Sequence, residues 1–218
     1  MTATFQPSLL DLGANVTLGP LGPTVRRTRL EHGAWIDLRP GWLAGADILF
    51  QRLVDSVPWY EERRRMYDRM VDVPRLLKFY DEDEPLPDPA LDEARRALDD
   101  RYAAELGEPF RTVGMCYYRD GRDSVAWHGD TIEPGPRTRP QGRGSDQDTM
   151  VAILSVGDPR ALLLRPRGGG PVVRHELGHG DLIVMGGSCQ RTWEHAIPKT
   201  ARPVGPRISI QYRPRGVR

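Results

Sequence analysis

His128-Gly-Asp130 and His179-Gly-Asp181 each set an imidazole and a carboxylate two residues apart. At that spacing both side chains can reach one metal ion, and a second His would complete a two-His, one-carboxylate face with open coordination positions. Context separates the two copies. In "LGHGDLIVMGG" glycines flank His179 and Asp181 opens an apolar run, so this copy reads as a hairpin turn feeding a buried strand. In "DSVAWHGDTIEPG" the His closes an alternating strand and a long polar loop follows. A strand end at a barrel rim is a place where an open-sided metal is held, and His195 in "TWEHAIP" offers the third ligand. The alternative is that His128 and His195 are ordinary, partly buried histidines.

The C-terminal "RISIQYR" bears on that choice. Strict alternation puts Arg207, Ser209, Gln211 and Arg213 on one face and Ile208, Ile210 and Tyr212 on the other. At roughly 3.3 Å per residue the two Arg Cα atoms lie about 20 Å apart, and inward-leaning side chains shrink the gap toward a small dicarboxylate. Guanidinium groups hold carboxylates bidentately and keep their charge. A metal face beside a dicarboxylate clamp is the equipment of a 2-oxoglutarate-dependent oxygenase.

The elements that must position these groups follow from pattern and punctuation. "AGADILFQRLVDSVPW" spaces Ile48, Leu49, Leu53 and Val54 helically and stops at Pro58, and "ALDEARRALDDRYAAELG" is a second helix capped by Gly107. After residue 110 short strands alternate with Gly/Pro turns, which predicts a β-sandwich or barrel. The fold class expected is α+β, a C-terminal antiparallel double sheet with N-terminal helices packed on one sheet. Residues 1–43 are expected to form an extension and 44–218 the catalytic domain. With 31 basic and 30 acidic residues, global charge does not drive polyanion binding, although a local basic patch remains open. Two cysteines make no disulfide framework, and there is no secretory leader or apolar span, so a cytoplasmic setting without membrane contact is expected.

From Cys116 onward the ordered segments "YRDGRDSVAWHGD", "HGDLIVMGG", "WEHAIP" and "RISIQYR" resemble the AlkB-type family of Fe(II)/2-oxoglutarate dioxygenases, which repair alkylated nucleic acid bases. The likeness covers roughly residues 30 to 215. It implies a double-stranded β-helix (jelly-roll) core, Fe(II) on His128, Asp130 and His195, and 2-oxoglutarate on Arg207 and Arg213, with Tyr118 adding a hydroxyl. It further implies that O2 is consumed, that succinate and CO2 are released, and that a hydroxylated methyl leaves a base as formaldehyde. Three positions depart from the family's pattern. Cys116 and Ser209 stand where the family has Asn, and Ile132, next to Glu133, replaces the acid that base-repair members carry four positions after the first His.

Residues 60–80 resemble the family's substrate lid, with "VPR" (Val73 to Arg75) its most recognisable part. Arg and aromatic residues interleaved there suit phosphate contact and base stacking, so single-stranded DNA or a flipped base is the expected partner of a monomer. The loop Arg137 to Gly144 could grip phosphates from the other side. Arg75, Tyr80, Ile132 and Trp193 are the candidate substrate contacts. Trp193 shares a strand face with His195, whereas Trp127 points opposite His128 and is expected in the core. Two other readings stay open: the same oxygenase chemistry on a protein or small molecule, and a non-oxygenase metal-binding jelly roll, since two His and one Asp also suit Zn²⁺.

Overall fold

The computed structural model describes residues 15–66, 69–132 and 147–218. The basic loop Arg137 to Gly144 and Glu133 lie outside them. The N-terminal third contains β1 (Thr17–Leu18), β2 (Arg26–Arg29), β3 (Ala34–Arg39), β4 (Leu43–Ala44) and α1 (Ala46–Ser56), then β5 (Tyr60–Met66) and β6 (Arg69–Tyr80). Helix α2 (Pro89–Leu106) leads into β7 (Thr112–Tyr118), β8 (Val125–His128), β9 (Val151–Gly157), β10 (Arg160–Pro166), β11 (Val173–Leu177) and β12 (Asp181–Gly187). Helix α3 (Cys189–Thr192), β13 (Trp193–Ile197) and β14 (Arg207–Arg213) complete the order.

Sequence chemistry sets the helix ends. The Asp88 carboxylate accepts the Ala90 N–H at 2.9 Å, Pro89 opens α2 where its missing N–H costs nothing, and Gly107 closes it in the left-handed region at φ 82°. In α1 the 3.6-residue period buries Leu49, Phe50 and Leu53.

Eight strands in the order β2-β3-β12-β9-β14-β7-β6-β5 form a large antiparallel sheet, and β11-β10-β13-β8 form a small one. Each face of the large sheet has its own core. On one side Met115, Leu154, Val184, Ile208, Ile210 and Tyr212 cluster with Leu49, Phe50 and Leu53 of α1 and Leu91, Leu98 and Tyr102 of α2. Tyr102 also donates its hydroxyl to buried Asp37 at 3.0 Å, and Arg27 grips the same carboxylate with two nitrogens. On the other side Ile36, Val151, Ile153, Ile183 and Met185 meet Leu162, Leu164, Leu177 and Ile197 of the small sheet. Every pocket side chain of the large sheet belongs to this second face.

Two segments take a form that the sequence pattern left unspecified or put differently. The segment expected as a lid is a β-hairpin, β5 and β6, added at the end of the large sheet. Pro74 is accommodated because the β6–β7 ladder begins only at Leu76, beyond the residue that lacks an N–H. His179-Gly-Asp181 is a turn, but not a hairpin: β11 belongs to the small sheet and β12 to the large one, so the turn carries the chain between sheets. The Asp181 carboxylate accepts the N–H groups of Gly178 and Gly41, both at 2.8 Å, and His179 Nδ1 accepts that of Gly157 at 2.7 Å.

Gly180 holds φ +81° in this crossing, and a Cβ there would stand 2.3 Å from the Leu43 carbonyl oxygen. Because a left-handed L-residue alone costs roughly 1–2 kcal/mol, Gly180→Ala is expected to lower the unfolding free energy by about 2 kcal/mol or more. A lower urea midpoint at unchanged slope is the expected reading; an unshifted midpoint contradicts it.

Candidate active site

The pocket between the sheets encloses about 490 Å³ including its open mouth. Its large-sheet wall is the polar face of β14: Arg207, Ser209, Gln211 and Arg213, side by side with Tyr118 and Cys116 of β7. Alternation delivers these groups inward while Ile208, Ile210 and Tyr212 are buried on the helix side. The small-sheet wall carries His128 at the end of β8 and His195 in β13, which are direct cross-strand partners. Asp130 follows two residues after His128.

Arg207 is 1% exposed. Its Nε donates to Ser155 Oγ at 2.8 Å and its guanidinium lies 5.4 Å from the Tyr118 ring centre, yet Nη1 is buried without a partner among the described residues. Burial pulls its pKa down and Tyr118 partly offsets this; burial in turn pushes the Tyr118 hydroxyl up. Arg213 reaches across to the other sheet, where Nη2 donates to Asp130 Oδ1 at 2.9 Å. Gly114 makes this possible, because a Cβ there would stand 2.6 Å from Arg213 Nη1.

Burial alone would raise the Asp130 pKa, but Arg213, His195 and His128 hold it below the ordinary carboxylate value. The carboxylate is therefore ionised, and its Oδ2 is buried without a partner among the described residues. The imidazoles of His128 and His195 lie 4.2 Å apart, centre to centre. His128 Nδ1 sits 2.9 Å from the Ala126 carbonyl oxygen, which can only accept, so Nδ1 donates and Nε2 is the ring nitrogen left for a ligand role. Burial, and then the nearness of His128, push His195 down to about 3, leaving it neutral and able to ligate.

Among the described residues no three His, Cys, Asp or Glu side chains are gathered at the spacing of ligands to one ion; Asp130 is engaged by Arg213 instead. In type the donors fit Fe(II): two imidazoles and a carboxylate with an unpartnered buried oxygen. The opposite wall fits a dicarboxylate, since Arg207 Nη1 and Arg213 Nε are buried donors without partners among the described residues.

The structure brings His128, Asp130, His195, Tyr118, Arg207, Ser209, Arg213 and Arg75 to one pocket. Three expected substrate contacts are not among its walls. Tyr80 pairs with Val113 and is buried in the helix-side core, since five residues along a strand put it on the face opposite Arg75. Trp193 shares a face with His195 but sits at the strand's start, buried, with Nε1 donating to the Glu31 carbonyl. Ile132 bridges Val217 near the C-terminus and packs against the inter-sheet core. Trp127, expected in the core, is half-buried on the outer face of the small sheet under the Arg165 guanidinium, 4.1 Å from its ring centre.

Sequence reasoning missed Ser155, Gly114 and Gln190. Ser155 left a signal, one hydroxyl inside the apolar run "AILSVG". Gln190, whose Oε1 accepts the Asp130 N–H at 3.0 Å, left none.

The depressed His195 pKa fixes a sign. The unfolded chain protonates this His near pH 6.5, whereas the folded protein resists until about pH 3. Stability of the metal-free protein is therefore expected to fall as pH drops from 6.5 toward 3, by up to about 1.4 kcal/mol per pH unit from this group. Urea unfolding at a series of pH values should show a shallower slope for His195→Leu over that window; equal slopes contradict the assignment.

A sequence profile of the 2OG-Fe(II) oxygenase superfamily matches residues 44–213. The human "alpha-ketoglutarate-dependent dioxygenase alkB homolog 3" is 29% identical over 226 aligned positions, 95% of this chain and 73% of that protein. The cattle "DNA oxidative demethylase ALKBH2" is 28% identical over 193 positions, 78% of this chain and 64% of that protein. A solved structure of OsALKBH1 shares the fold at a TM-score of 0.56, with 11% identity, covering 87% of this chain and all of that one. Membership removes the reading as a non-oxygenase metal-binding jelly roll. With its match running through most of its length, the chain belongs to the 2OG-Fe(II) oxygenase superfamily, in the AlkB-type branch of 2-oxoglutarate-dependent dioxygenases that use Fe(II) and O2.

Proposed function

We propose that the chain oxidatively demethylates alkylated nucleic acid bases, DNA first and RNA second. His128, Asp130 and His195 would hold the iron, and Arg207 and Arg213 would hold the two carboxylates of 2-oxoglutarate, with Tyr118 and Ser209 beside them. Fe(II) with 2-oxoglutarate supplies, once bound, the activation of O2 that hydroxylates a methyl carbon, with succinate and CO2 released. On loading, before any of this chemistry, Arg213 would exchange Asp130 Oδ1 for a co-substrate carboxylate. Leu162, Leu177, Val151 and Ile153 keep water from the reacting methyl group. The hydroxymethyl group formed on the base nitrogen leaves as formaldehyde.

The observation that carries the substrate reading is the place of Arg75. It stands on β6 of the basic hairpin "YEERRRM…RMVDVPRLLKFY" and also lines the reaction pocket, so one element links a polyanion-suited strand pair to the chemistry. The names of the human and cattle relatives point the same way. The proposal includes a jelly-roll core with helices on one sheet, residues 44–218 as the catalytic domain, and a cytoplasmic monomer acting on single-stranded DNA or a flipped base. Ile132 favours a second reading, the same oxidation of a protein or small molecule, because no acid stands four positions after His128.

Mass spectrometry of a single-stranded oligonucleotide carrying 1-methyladenine or 3-methylcytosine separates them. Loss of one methyl per lesion, dependent on 2-oxoglutarate and abolished in His128→Ala, is expected. Succinate formation with an untouched oligonucleotide would move the substrate to the second reading. Gly114→Ala, which crowds Arg213, is expected to raise the 2-oxoglutarate KM about tenfold, the scale of a displaced charge-assisted contact, with little change in melting temperature. An unchanged KM would remove Arg213 from the clamp.

A further inference from the structure

Asp130 is fixed through its backbone by a side chain from a distant part of the chain. Gln190, 3% exposed in α3, accepts the Asp130 N–H through Oε1 at 3.0 Å. Helix α3 runs directly into β13, so Gln190 lies on the same short segment as His195. A single amide thus ties the loop that carries Asp130 to the strand that carries His195. The Gln190 main-chain oxygen accepts Arg167 Nη2 at 3.0 Å, and both groups press on the residue between His128 and Asp130. A Cβ at Gly129 would stand 2.2 Å from Arg167 Nη2 and 2.9 Å from that oxygen. The loop therefore has little room to shift against α3. A glutamine suits the place, because a neutral acceptor satisfies the buried N–H without setting a second negative charge beside the carboxylate.

Resting on the reading of His128, Asp130 and His195 as metal ligands, we propose that Gln190 is a positioning residue. By holding the Asp130 main chain against the segment of His195 it sets the carboxylate-to-imidazole separation and with it the affinity for the metal. Its contribution is made before metal or co-substrate binds.

The test is Mn(II) binding to the full-length, metal-free chain by calorimetry, a readout independent of turnover. Gln190→Asn keeps the amide but withdraws it from the Asp130 N–H; Gln190→Met removes the acceptor at similar volume. Ser188→Ala is the structural control. It deletes the hydroxyl that donates to the His32 carbonyl at 2.6 Å and so loosens α3 without touching Asp130. Asp130→Ala checks the ligand assignment. Both Gln190 variants are expected to bind Mn(II) about tenfold or more weakly, the range seen when a ligand's supporting contact is removed. Ser188→Ala is expected to lower the melting temperature while keeping wild-type affinity. Wild-type affinity in Gln190→Asn overturns the inference, and so does equal weakening in Ser188→Ala, which would assign the effect to α3 as a whole. If Asp130→Ala binds as the wild type does, the ligand reading itself falls and the inference with it; should Gln190→Met not fold, Gln190→Asn carries the test.

Discussion

A guanidinium group buried between two sheets, away from water, constrains everything around it. Arg207 is 1% exposed, and its Nε donates to Ser155 Oγ at 2.8 Å. An isolated buried charge is among the costliest features a fold can carry unless something opposite completes it. Tyr118 lies alongside, and Nη1 is buried without a partner among the described residues. The space beside Arg207 is thus built for an anion, and 2-oxoglutarate, the co-substrate of the superfamily to which the chain belongs, is a dicarboxylate.

The second arginine of the strand joins the two halves of the site. Arg213 belongs to the large sheet and Asp130 to the loop that leaves the small one, and their 2.9 Å contact spans the pocket. Charge balance explains the pairing: a buried carboxylate and a largely buried guanidinium offset each other's charge. The pairing engages Oδ1 alone and leaves Asp130 Oδ2 buried without a partner among the described residues. Under the proposed assignment, metal and co-substrate would each draw on this pair, and the small size of Gly114 leaves room for Arg213, whose Nη1 a Cβ there would approach to 2.6 Å.

Much of this was legible because it was local. The two-residue period of "RISIQYR" separates Arg207, Ser209, Gln211 and Arg213 from Ile208, Ile210 and Tyr212, and the sheet keeps that separation. The cap residues of α2 and the Gly-rich context of His179 are likewise short-range chemistry. What failed depended on register or on distant partners. Arg75 and Tyr80 look alike in sequence, yet an odd spacing on one strand sends them to opposite faces. Trp193 has the right face and the wrong height along it. Ile132 takes its place from Val217, far along the chain, and Gln190 from a helix of four residues with no periodicity to announce it.

As proposed, β14 and the His128–Asp130–His195 wall form one site whose two halves exchange a partner on loading. A crystal structure with Mn(II) and 2-oxoglutarate bound tests it most directly. The ion is expected on His128, Asp130 and His195, the two carboxylates on Arg207 and Arg213, and the Arg213–Asp130 contact opened. An ion held elsewhere, or Arg213 still closed on Asp130 with both ligands in place, would contradict it.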